Sequence, residues 1–140
     1  MAGDVLAIDA NVILRYLVRD DEALWAKADA AMRRMDRGEI VLDCDPVILG
    51  EVVWTLTSFY KLPRKDIASA LSELLSAEGF RVFGKDRYVR ALQLYSTCIP
   101  HFADACACAA AIEDCEGRLL SFDRGLSKVA GVSRREELKD

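Results

Sequence analysis

Histidine is almost absent from this chain. His101 is the only one, set between Pro100 and Phe102 at a helix entrance. With no second histidine there is no histidine-rich zinc site, and His101 gives no basis for a Ser-His-Asp triad as the main chemistry. Long apolar runs are missing too. None approaches the ~20 residues that a membrane-spanning helix needs, and the opening MAGDVLAIDA lacks the basic stretch followed by an apolar segment that marks a signal peptide. A cytoplasmic protein with no membrane attachment is the expectation. Proline is sparse, at three residues, and no repeat, low-complexity tract or linker interrupts the chain. One domain over residues 1–140 is expected. Positive charge is not in excess either, since 19 Lys and Arg stand against 23 Asp and Glu for a net charge of −4. A nucleic-acid binder is more often basic overall, yet the sign of a local patch matters more than the sum.

Cysteine offers no disulfide framework. There are five, an odd number in a chain long enough to fold without staples. Cys106 and Cys108 lie in FADACACAAAIEDCEG, which reads as helix. Residues two apart on a helix point roughly 200° apart, so these two cannot grip one ion and read as small packing residues.

What the chain does have is apolar residues at 52% and charged residues at 30% over 140 positions. That is the profile of a globular domain that buries roughly two-thirds of its unfolded surface. Strand and helix signals alternate. VLAI (5–8) has strand length, and 11–18 reads as a short helix. Asp20 and Asp21 offer N-cap oxygens to EALWAKADAAMRRMDR, in which Leu24, Ala28, Ala31, Met32 and Met35 recur at helical spacing before Gly38. EIVLD (39–43) is a second strand. Asp45 and Pro46 start a helix that turns Val52, Val53, Leu56, Phe59 and Tyr60 inward. Pro63 opens another, striped by Ile67, Leu71, Leu74 and Leu75 and capped by Gly79. FRVF (80–83) is a strand, 85–97 a helix, and after Pro100 the cysteine-bearing helix ends at Gly117. RLLSF (118–122) is the last strand, and DRGLSKVA a short helix. The alternation predicts an α/β fold, a three-layer sandwich with a mostly parallel central sheet flanked by helices.

In open parallel sheets, ligands bind outside the carboxyl ends of the strands. Asp9 stands just past the first strand, and Asp123 just past RLLSF. Glu51 lies inside the apolar helix PVILGEVVWTL, where a glutamate has to be exposed or paired. Asp104 sits in the first turn of a helix of small residues. Each has an ordinary structural reading: an Asx turn or N-cap for Asp9, an N-cap for Asp123, dipole compensation for Asp104. Converging carboxylates would repel one another without a counter-charge. An all-oxygen ligand set favours Mg²⁺ or Mn²⁺ over zinc or copper, and carboxylates holding such ions suit phosphodiester hydrolysis.

In these residues the chain resembles a PIN-domain ribonuclease, and more closely the VapC-type toxins of bacterial toxin–antitoxin pairs. AIDANVILRYL is similar to the opening motif of that family, ILGEVVWTL to its helical Glu motif, HFADACACAAA to its third motif and LLSFDRGLSK to its closing one. The motifs stand in family order over almost the whole chain. The resemblance implies a metal-dependent endoribonuclease whose Mg²⁺ (or Mn²⁺) site is formed by Asp9, Glu51, Asp104 and Asp123. Asp9 and Asp104 would be the most direct ligands, and Asn11 and Ser121 would orient the carboxylates through hydrogen bonds. Ala10 departs from the family, where a hydroxyl residue is commoner; the change removes a hydrogen bond but no charge. Arg124 and Lys128, flanking Asp123, and Arg15, one helical turn past Asn11, are the expected RNA-phosphate contacts. The partners implied are an RNA substrate, a small antitoxin that masks the site, and a second copy in a homodimer. Tyr16, Leu17, Leu24 and Trp25 either line the antitoxin groove or belong to the core.

Three other readings compete. A haloacid-dehalogenase-type phosphatase also begins with an Asp after its first strand, but needs a second Asp where Asn11 stands. A response-regulator receiver domain needs an early acidic pair, whereas Asp4 precedes the strand. A catalytically inactive PIN-like module that binds RNA or protein would keep the fold without the chemistry, and the presence of all four acids argues against it.

Overall fold

Four aspartates set where helices begin. Asp9, Asp21, Asp45 and Asp123 each occupy an N-cap and accept a bond from a backbone amide of the first helical turn, satisfying donors that have no partner within the helix. In this computed structural model, residues 3–139 are described, so the chain ends Met1, Ala2 and Asp140 of the expected domain lie outside the described residues. The chain forms two compact units, Met1–Lys85 and Asp86–Asp140.

The first unit runs β1 (Asp4–Ala7), α1 (Ala10–Leu17), α2 (Glu22–Asp36), β2 (Ile40–Cys44), α3 (Pro46–Ser58), α4 (Arg64–Ser76) and β3 (Phe80–Val82). Its strands pair in the order β1-β2-β3, all parallel. Ala7 stands opposite Asp43, and the Ile8 amide carries the ladder one step further by donating to the Asp43 carbonyl at 3.0 Å. Parallel pairing requires a crossover between successive strands, and the helical pairs α1–α2 and α3–α4 supply it. Gly38 ends α2 at φ +76°, a left-handed conformation that costs glycine nothing. Ile13, Leu49, Val52, Ile67, Leu71 and Phe80 are fully buried and form the core of this unit.

The second unit contains α5 (Lys85–Thr97) from its second residue onward, α6 (Phe102–Asp114), β4 (Arg118–Leu120), a short 3-10 helix (Arg124–Lys128) and β5 (Ser133–Arg135). Arg87 pairs with Asp114, and Arg90 with Glu113 at 2.8 Å, tying α5 to α6. Tyr95 and Phe102 meet edge to face, with ring centres 5.6 Å apart. Gly117 has φ +79°, and a Cβ there would stand 2.3 Å from the Gly131 carbonyl oxygen. Only glycine allows the close approach that brings β4 alongside β5, again in parallel.

The expected α/β class and the parallel pairing are both present, divided between a three-stranded sheet and a two-stranded ladder. Two local expectations change. Phe59 does not turn inward: it is 74% exposed, at the C-cap just past Ser58, the last residue of α3. Its ring meets that of Tyr60 edge to face, centre to centre 5.0 Å. β5 was not anticipated, since SRR shows no apolar alternation and forms a strand only through its pairing with β4. Cys108 is buried and Cys106 half-buried, and all five cysteines are free thiols, in keeping with packing roles. No helix among the described residues is long and apolar enough to cross a membrane.

Candidate acidic metal site

Asp9 follows β1 by two residues and caps α1. Its Oδ1 accepts the Val12 amide at 3.1 Å, so one carboxylate oxygen is fixed while the side chain stays exposed. Asn11 is exposed in the first turn of the same helix. Glu51 lies on α3 between the buried Leu49, Val52 and Val53 and is itself exposed, the solution an apolar helix requires of an unpaired glutamate. The helices carrying these two acids, α1 and α3, pack against each other.

Two further acids belong to the same sheet edge, which the sequence reading took only as the end of a strand (Asp43) and the start of a helix (Asp45). Asp43 and Asp45 flank Cys44 at the carboxyl end of β2. Asp43 pairs with Arg81 at 2.8 Å, and Asp45 accepts the Val47 amide at 2.8 Å. The signal was the triplet DCD at the end of a strand parallel to β1. Burial first, then the charges of Asp45 and Asp43, push the Cys44 thiol up to about 11.

In the second unit, Asp104 is half-buried in the first turn of α6. Asp123 lies three residues beyond β4, where its Oδ1 accepts the Gly125 amide at 2.9 Å. Its own amide donates to Ser121 Oγ at 3.1 Å. Ser121 therefore positions Asp123 through the backbone, a variation on the carboxylate contact expected of it. Burial raises the Cys108 thiol, and the charges of Asp104, Cys98 and Asp123 raise it further.

The basic residues divide. Arg124 is 89% exposed and only loosely paired with Glu136 at 3.8 Å, and Lys128 is exposed. Arg15 is committed elsewhere: its Nη1 donates to Asp20 at 3.1 Å, Asp20 also accepts the Tyr60 hydroxyl at 3.0 Å, and the Arg15 Nε is buried without a partner. Sequence reasoning missed Arg134 as well. Its side chain is 13% exposed and donates to Ser127 Oγ at 2.6 Å, to the Ser121 carbonyl at 2.8 Å and to Glu136 at 3.0 Å. It clamps the loop that carries Asp123. Nothing in SRREEL separates this arginine from its neighbours.

Within either unit, no three carboxylate, thiol or imidazole groups among the described residues are grouped to hold a metal ion. The chemistry of the four predicted acids suits a hard divalent cation all the same. They present oxygen only, and the two N-cap aspartates keep their second oxygen out of the cap bond.

Tyr16, Leu17 and Trp25 line a groove of about 360 Å³ on the first unit, while Leu24 lies outside it. The Arg19 guanidinium covers the Trp25 ring at 3.5 Å.

A family model described as PIN domain matches residues 6–132. No curated protein matches the chain.

Proposed function

Because this chain belongs to the PIN-domain family, whose members are generally nucleases using divalent metal ions, we propose that it is a metal-dependent endoribonuclease acting as the toxin of a toxin–antitoxin pair in the cytoplasm. The observation that carries this reading is the placement of Asp9 and Asp123. Each follows a parallel strand at its carboxyl end, with one oxygen held by a helix cap. Residues 1–140 would act as a single PIN-like domain, a reading supported by a family match that runs through both units.

In this proposal Asp9, Glu51, Asp104 and Asp123 hold Mg²⁺ or Mn²⁺, with Asp9 and Asp104 as the most direct ligands. When bound, the ion supplies the positive charge that polarises the phosphodiester and the acidity that makes water a nucleophile. The chain's own contribution is preorganisation. N-cap bonds fix the Asp9 and Asp123 carboxylates before substrate arrives, Ser121 and Arg134 hold the Asp123 loop, and Asn11 orients Asp9. Arg124 and Lys128 contact RNA phosphates; Arg15 would have to exchange Asp20 for phosphate to join them. A small antitoxin binds the groove beside Tyr16, Leu17 and Trp25, and the toxin functions as a homodimer.

The test is cleavage of a mixed RNA pool by purified protein with Mg²⁺, with Mn²⁺ and with chelator, beside Asp104→Asn. Cleavage should require the metal and fall to background in the variant. Equal behaviour of wild type and variant, with no metal binding to either by calorimetry, would replace the nuclease with a PIN-like binding module.

A further inference from the structure

The outer face of α3 carries a stripe of residues at helical spacing, Val47, Glu51, Trp54 and Ser58, all of them exposed. Trp54 is 69% exposed, and among the described residues no other ring and no cation covers its indole. The other tryptophan, Trp25, lies under the Arg19 guanidinium instead. Gly50 stands one turn before Trp54, inside the helix. A glycine there weakens a helix, and neither packing nor backbone geometry asks for it. A Cβ at this position would meet nothing within 4 Å, and its φ lies outside the left-handed region. Helical side chains lean towards the N-terminus, over the preceding turn, so the indole extends back over the turn that holds Gly50 and Glu51. The absent side chain leaves room beside it, next to a carboxylate of the candidate metal site.

The space suits a flat, neutral group. An anion would meet the Glu51 charge. With Glu51 committed to a divalent ion, as the proposed function has it, a further cation is disfavoured as well. A nucleobase presents a neutral π-face, and aromatic side chains are the usual platforms for unpaired bases. Resting on the nuclease reading, we propose that Trp54 is a specificity-determining residue on which an unpaired base of the RNA substrate stacks, in the space left by Gly50 and with its phosphate directed to Glu51. Residues three apart on a helix have Cβ atoms about 5–6 Å from each other, so one nucleotide can span both. The substrate class that follows is single-stranded RNA. A base inside a duplex is already stacked between its neighbours and cannot offer its face, whereas every splayed base can. Recognition at this position is therefore tolerant of sequence and sensitive to pairing.

The experiment titrates the full chain carrying Asp104→Asn, which leaves RNA uncut, with a single-stranded RNA oligonucleotide, the same strand with abasic sugars, and the corresponding duplex. Tryptophan emission should be quenched by the single strand alone, and the quenching should vanish in Trp54→Phe, where only Trp25 emits. Affinity should fall roughly tenfold in Trp54→Ala and less in Trp54→Phe, which keeps a smaller ring. The slope of log K against log salt should not change, because stacking releases no counterions. Gly50→Leu fills the space with a residue that suits a helix better than glycine. It should weaken binding as much as Trp54→Ala without lowering the melting temperature. Phe59→Ala removes an exposed ring eight residues past Glu51, about 12 Å along the axis of α3, and should leave affinity unchanged. An unquenched indole, equal affinity for the strand and its abasic form, or equal affinity with and without Trp54→Ala overturns the proposal. So does a change of oligomeric state in Trp54→Ala by sedimentation, which would give this face to a second copy. Metal-dependent cleavage by the wild-type chain separates the proposal from the reading beneath it. Cleavage intact with an indole indifferent to bases defeats the platform alone. Base-dependent quenching without cleavage supports the platform and defeats the nuclease.

Discussion

Arg134 shows how much the loop that carries Asp123 can depend on one side chain outside it. Three bonds to Ser127, Ser121 and Glu136 come from a guanidinium that is largely shielded from water. Hydrogen bonds to charged groups are worth about 1.5–3 kcal/mol when their partners are left unsatisfied. Arg134→Ala is expected to lower unfolding free energy by about 2–3 kcal/mol in urea denaturation, and to slow RNA cleavage by displacing Asp123. Arg134→Lys should recover part of the stability and less of the rate, because an ammonium cannot reproduce the planar fork. At Cys44 the consequence appears in pH. The thiol is held protonated to about 11, against an ordinary value of 9.0, so the folded state keeps a proton that the unfolded chain releases earlier. Its contribution is complete below about pH 9 and is lost as pH rises towards 11, by about 2 kcal/mol over that window. Denaturation series from pH 8 to 11 should fall less steeply in Cys44→Ala than in wild type. An unchanged slope would mean that the thiol titrates as it does in the unfolded chain.

Elements were legible in the sequence wherever a local signal set them. α2 follows Asp21 and stops at Gly38; α3 follows Asp45 and Pro46; the buried stripe of α4 is Ile67, Leu71, Leu74 and Leu75. What stayed hidden depends on pairing across the chain. β5 is a strand because β4 lies beside it, and Glu73 joins Asp29 and Asp36 only because α4 helps line the groove under α1 and α2. The candidate site follows the same division. The caps at Asp9 and Asp123 could be read locally, while the Arg134 clamp, thirteen residues from the carbonyl it holds, could not. Periodicity also misplaces a residue at a helix C-cap, as Phe59 shows: its amide still bonds to the Thr55 carbonyl while its ring is exposed. The energetic counterpart can be measured. Ile67→Ala removes a fully buried side chain and should cost about 2–5 kcal/mol, whereas Phe59→Ala should stay within about 0.5 kcal/mol. A large loss at Phe59 would mean that the ring is covered in solution, as a dimer interface would cover it.

The whole molecule carries a net charge of −4, which works against an RNA backbone at long range. On the proposed function, binding would come from a few local cations, and the salt dependence should be shallow. Each phosphate contact on a single strand contributes about 0.7 to the slope of log K against log salt. Arg124 and Lys128 are exposed, whereas Arg15 is held by Asp20, whose carboxyl is kept below its usual range by the Tyr60 hydroxyl and by Arg15 itself. In an Asp104→Asn background, which leaves the RNA uncut, Arg124→Ala/Lys128→Ala should therefore reduce the slope by about 1.4, two contacts at that value. Arg15→Ala should leave it unchanged and lower the melting temperature, since it breaks a bridge from α1 to Asp20. The opposite pattern, a slope reduced by Arg15→Ala and untouched by the double variant, would move the RNA path from the Asp123 loop to α1. An acidic protein that binds RNA through two cations next to a metal site would select its substrate by local fit at the cleavage point, because its overall field repels every strand equally.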